Sequence, residues 1–280
     1  MENEKRTVII TGATSGIGRA LLEAYAIKED CRVFAGFRNP AHEEELRKIS
    51  TNIVPFKIDM EKPSLIDWAA LSIKKQTSKA DLLINAAGCV MAGPMETMPA
   101  EKLRKQFEIN TFSHLRFTQK LMDILQGGKV INISSMASFG IFPFVSPYCA
   151  SKRALDILFT ALEIESNHKI KVISIKPGVI ATPLWEKSIK NNQDSIVGVK
   201  DYEKQMAYVA RNAERNGTRG LSPNEVVKVI LKADRSKHPK PSYTVGKDAF
   251  AAELVSRLPQ CLINKIIEYG MKKKGLIENP

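Results

Sequence analysis

Residues 7–18 read TVIITGATSGIG: a short β-branched run, Thr7 to Ile10, passes directly into a turn holding Gly12, Gly16 and Gly18. Ile17, Leu21, Ala24 and Tyr25 then fall at i, i+4, i+7 and i+8, the apolar stripe of a helix that opens on the last two glycines. A strand feeding a helix through such a turn leaves orphan N–H groups and the positive end of the helix dipole facing whatever the turn encloses, which favours a pyrophosphate. The spacing G-x3-G-x-G departs from G-x-G-x-x-G, and glycines also serve plain tight turns. The strand before and the helix after are what point to a nucleotide.

Outward from this turn the same alternation continues. Arg32–Gly36, Ile53–Ile58, Leu82–Asn85, Lys129–Ile133, Lys171–Ile175 and Tyr243–Val245 are short apolar runs separated by longer amphipathic stretches, and Leu103, Phe107 and Asn110 to Leu125 carry a helical rhythm. Strands apolar on both faces suit a parallel sheet covered on both sides, and right-handed crossovers then give an α/β fold. The expected architecture is a single doubly wound Rossmann-fold domain with a seven-stranded parallel sheet, running to about residue 246, and a C-terminal helical extension. No repeat or low-complexity linker divides residues 1–280, although Lys237–Pro241 breaks the chain before the last strand. Two segments stand apart. Residues 183–220 are polar, Asn-rich and weakly periodic, as expected of a mobile substrate-loop insertion over the strand ends. Residues 247–280 hold an apolar-periodic stretch, Leu258 to Ile267, that runs on to Lys272, Lys273 and Lys274.

Composition excludes several classes. At 280 residues and 44% hydrophobic content the chain supports a large core, so disorder, collagen-like repeats and disulfide miniproteins are ruled out. Cys31, Cys89, Cys149 and Cys261 form no CxxC pair, so reduced thiols are expected and no metal site. The charged start MENEKRTVIITG lacks the apolar core of a signal peptide, and no window reaches the ~18 apolar residues of a membrane span, so a cytoplasmic protein is expected. Lys plus Arg exceed Asp plus Glu by 42 to 30, a net charge of +12. The cations are scattered and no zinc-finger or RNP-like spacing occurs, so a solvated basic surface is expected rather than nucleic-acid binding.

Twenty residues past Gly18 the second strand ends in Phe37 and Arg38, where an acidic residue would bind the ribose of NAD. A guanidinium there pairs with a 2′-phosphate, which favours NADP(H) over NAD(H), an ordinary surface arginine being the alternative. Asp59 suits either the adenine amino group or a helix cap, and Asn85-Ala86-Ala87-Gly88 either close cofactor approach or a simple turn. Tyr148 and Lys152 stand at i and i+4 on a helix entered through Pro147, so their side chains share one face. A cation within ~4–6 Å favours phenolate by about one to three pKa units, which makes Tyr148 an acid/base candidate. Ser135 follows the fifth strand, thirteen residues upstream, with a loop long enough to bring its hydroxyl beside the phenol. Tyr-x3-Lys alone is also common surface decoration. Here every candidate lies beyond the carboxyl end of a predicted parallel strand, where open α/β sheets bind ligands.

With TGATSGIG, NAAG, Asn110, Ser135, YCASK and PG in this order, residues 5 to about 246 resemble the short-chain dehydrogenase/reductase family. The resemblance implies that Ser135 polarises a substrate carbonyl, Tyr148 exchanges its proton, Lys152 lowers the phenol pKa and holds the nicotinamide ribose, and Asn110 holds a water in the proton relay. It implies cofactor contacts at Gly12, Thr14, Ser15, Gly16, Ile17, Gly18, Arg38, Asp59, Met60, Asn85, Ala86, Ala87, Gly88, Tyr148, Lys152, Pro177, Gly178, Val179 and Thr182. Ser15 stands where many NADP-preferring relatives carry a base, so the cofactor reading rests on Arg38. Val90, Met91, Phe139 to Phe144, Leu184 and Trp185 suggest a hydrophobic pocket, with plain core as the other reading. The tail is similar to that of the hydroxysteroid and retinol dehydrogenase branch, which implies a bulky apolar alcohol or ketone such as a steroid, retinoid or lipid. The alternatives are 3-oxoacyl-[acyl-carrier-protein] reductase-like activity on acyl thioesters and a non-catalytic NADP sensor. A homodimer or homotetramer built on the helices of Asn110 and Tyr148 is implied. The tail is expected to close the site or touch a subunit, with peripheral membrane contact as the other reading.

Overall fold

The computed structural model describes residues 5–192 and 200–277. Seven strands, β1 (Arg6–Thr11), β2 (Cys31–Phe37), β3 (Ile53–Lys57), β4 (Leu82–Asn85), β5 (Lys129–Ile133), β6 (Lys171–Pro177) and β7 (Ser242–Val245), form one parallel sheet in the order β3-β2-β1-β4-β5-β6-β7. The order reverses between β1 and β4, where Thr11 pairs with Asn85, and this reversal opens the crevice in which such sheets bind ligands.

Helices cover both faces, as two-sided apolar strands require. On one side α1 (Gly16–Ala26), α2 (His42–Ile49) and α9 (Pro223–Arg235) bury Leu21, Leu22, Leu46, Val226 and Ile230 against Val8, Ile10, Val33 and Ile173. On the other, α3 (Pro63–Lys74), α5 (Ser113–Leu121) and α6 (Ser146–Glu165) bury Ile66, Ile73, Phe117, Leu155 and Phe159 against Ile9, Phe34, Leu83 and Val130.

The helical rhythm expected from Leu103 onward is interrupted. Between α4 (Ala100–Phe107) and α5 lies a π-turn, Glu108–Phe112, which adds a residue to one turn and carries Ile109, Asn110 and Thr111 inward. The 183–220 insertion corrects its weak periodicity: it contains α7 (Leu184–Asn191), a 3-10 turn (Lys200–Tyr202) and the long α8 (Glu203–Arg219), while 193–199 lie outside the described residues. Helix α8 buries only Met206 and Ala213, which explains why its spacing reads as polar. Both ends of the insertion meet in one bridge, with the Leu221 N–H donating to Val179 O at 2.9 Å and the Ala181 N–H to Leu221 O at 2.9 Å. The tail forms α10 (Lys247–Val255) and α11 (Gln260–Lys273), and residues 278–280 lie outside the described residues. Among the described residues no helix is long and apolar enough to cross a membrane.

Candidate active site

The glycine turn builds a cradle. Thr11 Oγ1 accepts from the Ala86 and Ala87 N–H groups at 3.0 and 3.3 Å, fastening the end of β1 to the turn after β4. Gly12 has φ +66°, and a Cβ there would stand 2.8 Å from the Ala87 nitrogen; at Gly18 it would stand 2.2 Å from Gly12 O. Neither position admits a side chain. Helix α1 begins on Ser15 with no side-chain cap and no acidic residue in its first turn, so its leading N–H groups remain available to a ligand. A pyrophosphate fits this donor set. Thr14, Ser15, Gly16 and Ile17 are partly open around it, and the Thr182 side chain lies where a Cβ on Gly16 would meet it at 3.2 Å.

Beyond the end of β2, Arg38 is 71% exposed along its side chain, with a guanidinium nitrogen 3.6 Å from Glu61, a carboxylate shared with Lys105 at 2.8 Å. Two cations therefore converge on one rim of the cradle. Asp59 Oδ1 accepts from the Glu61 N–H at 3.0 Å, so one of its oxygens closes a local turn. Met60 is buried, and its carbonyl accepts from Ser113 Oγ.

Tyr148 and Lys152 share the inward face of α6. Tyr148 is partly exposed, yet the protein packed around its hydroxyl pushes its pKa up to about 12, opposed by a hydrogen bond with Ser135. The sequence leads one to expect the opposite direction. The reason is geometric: Lys152 Nζ stands 5.9 Å from the phenol ring centre and donates to Ile133 O at 2.7 Å, so its charge does not outweigh burial at the phenol. Burial also lowers Lys152, to about 8, against the pull of Asp156 one helical turn on. Ser135 Oγ accepts from the Ala137 N–H at 3.1 Å, which fixes its rotamer.

Asn110 is committed to the protein. Its Nδ2 donates to Cys89 O at 3.0 Å and Ser151 Oγ at 3.1 Å, and its Oδ1 accepts from the Cys89 N–H at 2.9 Å. The π-turn thus locks the loop after β4 to α6. Gly88 faces this junction: a Cβ there would stand 3.4 Å from Asn110 Oδ1 and 3.8 Å from Lys152 Nζ. Asn85, by contrast, is 1% exposed and gives its amide to Asn132 at 2.9 Å, so its side chain lies beneath the cleft. Val90 and Met91 are also buried, which makes them core rather than pocket wall.

Four further residues shape the site without a local sequence signal. Gln106 accepts from the Met91 N–H at 2.6 Å and donates to Cys89 O at 3.0 Å. His114 Nε2 donates to Ala87 O at 2.9 Å while its Nδ1 has no hydrogen-bond partner, and burial drives its pKa down to about 3. Asp248 accepts from the Val179 N–H at 2.7 Å and fills the space beside Gly178, fixing the Pro177–Val179 turn. Asn192 accepts from the Ala92 N–H at 2.8 Å and donates to Val90 O at 3.1 Å, tying α7 to the loop after β4. Of these, Asn192 stands in the Asn-rich run of the insertion, where composition alone reads as loop.

Residues 6–193 match the family model described as short chain dehydrogenase. An uncharacterized oxidoreductase of Bacillus subtilis, YusZ, is 33% identical over 257 residues, 87% of this chain and 90% of its own. The NADPH-dependent 3-dehydrocapnine reductase of Ornithobacterium rhinotracheale is 30% identical over 280 residues, 96% of this chain and 98% of its own. Among solved structures, a short-chain dehydrogenase from Streptomyces avermitilis superposes with a TM-score of 0.75 at 23% identity, covering 99% of this chain and 100% of that one.

Proposed function

The chain belongs to the short-chain dehydrogenase family of oxidoreductases, and from that premise we propose that it interconverts a carbonyl and an alcohol on a bulky apolar substrate with NADP(H) as coenzyme. The observation that carries this reading is the half-open Tyr148, bonded to Ser135 and one turn from buried Lys152, at the strand ends beside an uncapped glycine cradle.

A bound nicotinamide coenzyme supplies or accepts the hydride. Gly12, Thr14, Ser15, Gly16, Ile17 and Gly18 would hold its pyrophosphate. Asp59, Met60, Ala86, Ala87 and Gly88 would line the adenosine side, and Pro177, Gly178, Val179 and Thr182 the nicotinamide side. Arg38, with Lys105 on the same rim, would pair with a 2′-phosphate, and the full-length similarity to an NADPH-dependent reductase supports that choice over NAD.

Ser135 Oγ is assigned to hold the carbonyl oxygen. Tyr148, kept neutral by its surroundings, delivers its proton from Oη to that oxygen during reduction. Lys152 Nζ places positive charge beneath the phenol and would bond the ribose. With its amide committed to Cys89 and Ser151, Asn110 acts by positioning the proton path rather than by direct contact. Phe139, Phe142, Phe144, Leu184 and Trp185, all partly exposed, are proposed as the apolar wall. The 183–220 insertion would cover the substrate, and the 247–280 extension would brace the wall, since α10 packs on the 3-10 turn Met136–Phe139. The exposed Phe112, Ile157 and Ile164 support a homodimer or homotetramer through the helices that carry Asn110 and Tyr148.

The test is NADPH oxidation, followed at the nicotinamide absorbance, across steroid, retinoid, long-chain and simple ketones and acyl thioesters. Turnover of an apolar ketone that Tyr148→Phe abolishes is the expected result. Turnover confined to acyl thioesters would replace the substrate reading, and tight NADPH binding with no turnover on any compound would replace the catalytic one.

A further inference from the structure

The two tail helices are packed the wrong way round for an ordinary surface. Helix α9 turns Val226, Val227, Ile230 and Ala233 inward, as an amphipathic helix should. Helix α11 buries Ile263 alone and leaves Leu262, Ile266 and Tyr269 at 44%, 48% and 70% exposure. In α10, Phe250 and Leu254 are exposed in the same way at 57% and 67%, and Leu258 in the connector at 41%. Six large apolar side chains within twenty residues of sequence mark a contact surface rather than scattered exposure.

Charge selects its occupant. Lys247, Lys265 and Lys273 are exposed beside these side chains and take part in no ion pair among the described residues. The acids of the same helices are engaged instead: the exposed Asp248 accepts from the Val179 N–H, and Glu253 from Thr244 Oγ1 at 2.7 Å and from Arg257, which leaves Glu268 as the exposed acid with no partner among the described residues. Apolar side chains among unpaired lysines are complementary to an anionic lipid surface and repel a second copy carrying the same charges.

We propose that α10 and α11 dock this protein on an anionic bilayer surface, the apolar side chains entering the headgroup boundary and the lysines meeting lipid phosphates. Helix α11 does not span the bilayer; it lies along it. The inference stands apart from the substrate reading, because it concerns adsorption and not turnover.

The test is sedimentation of the full chain with vesicles of phosphatidylglycerol and phosphatidylcholine against vesicles of phosphatidylcholine alone, at low and high salt. Binding to the anionic vesicles is expected, weakened by salt, and reduced about fivefold by each of Lys265→Gln and Lys273→Gln. The double variant Leu262→Glu with Ile266→Glu should lose tenfold or more of the bound fraction, roughly the burial of two aliphatic side chains. Its thermal melt and NADPH-induced fluorescence quench should match the parent's, which separates lost docking from lost folding. Absence of binding to anionic vesicles overturns the proposal, as does equal binding to both vesicle types. A soluble oligomer that the double variant dissociates would also overturn it, by assigning the face to a second copy of the chain.

Discussion

The cleft has a floor and a roof, and they are held by different means. The floor, from β1 through the turn after β4, is fixed by backbone: Gly12 and Gly18 exist because carbonyls and amides occupy the space of their missing side chains, and Thr11 binds two neighbouring N–H groups. The roof, α7 and α8 with α10 and α11, leans on single side chains: Asn192 reaches Ala92 and Val90 and Tyr202 Oη reaches Glu96 at 2.6 Å, while Asp248 to Val179 and Gln205 to Leu276 O at 2.8 Å join its own parts. A backbone-built floor tolerates almost no substitution. A roof on individual hydrogen bonds can be retuned one residue at a time, which suits a fold that keeps its coenzyme and changes its substrate.

The comparison can be broken in five places. Tyr148→Phe, where the two regions meet, should lower kcat about 10³-fold with NADPH affinity unchanged, as read by steady-state rates beside a fluorescence titration. The next effect belongs to the floor in acid. The His114 pKa lies near 3 in the fold against 6.5 unfolded, so the unfolded chain binds the extra proton and stability falls as pH drops below 6.5. By pH 4 the loss should reach ~3 kcal/mol in urea melts, and His114→Gln should flatten that part of the profile. Gly18→Ala, with its Cβ 2.2 Å from Gly12 O, should weaken NADPH binding about 100-fold; a change under threefold would falsify the rigid floor. Arg38→Ala should raise the KM for NADPH ~10-fold and leave that for NADH within twofold, since only one coenzyme carries the 2′-phosphate. The smallest change comes from the roof. Asn192→Ala leaves the buried Ala92 N–H unpaired, which should cost about 1 kcal/mol in stability and raise substrate KM a few-fold while coenzyme affinity stays put.

What could be read in advance follows the same division. Each strand is found within two residues of its expected ends, because parallel strands are apolar on both faces and bounded by turns. The glycine turn and the pairing of Tyr148 with Lys152 were legible because each is local, a matter of neighbours within eight residues. The direction of the Tyr148 shift was not: it depends on how much protein surrounds the hydroxyl and on Lys152 choosing Ile133 O, neither of which spacing encodes. Asp248 reaches Val179 from sixty-nine residues away and Asn192 reaches Ala92 from one hundred, so their roles exist only once the chain has closed. Helix α8 was obscured for a different reason. It buries only Met206 and Ala213, too few to raise an apolar stripe above its polar face.

The π-turn at Glu108–Phe112 interrupts a rod whose two halves keep time with different neighbours. Upstream, Gln106 must point at the loop after β4; downstream, Phe117 and Leu121 must point at the sheet. One continuous α-helix has a single phase, advancing about 100° per residue, and the extra residue in the turn resets it between these obligations. Removing one residue there would therefore act less like a truncation than like a clock error, turning every side chain of α5 away from its partner while leaving the composition of the helix almost unchanged.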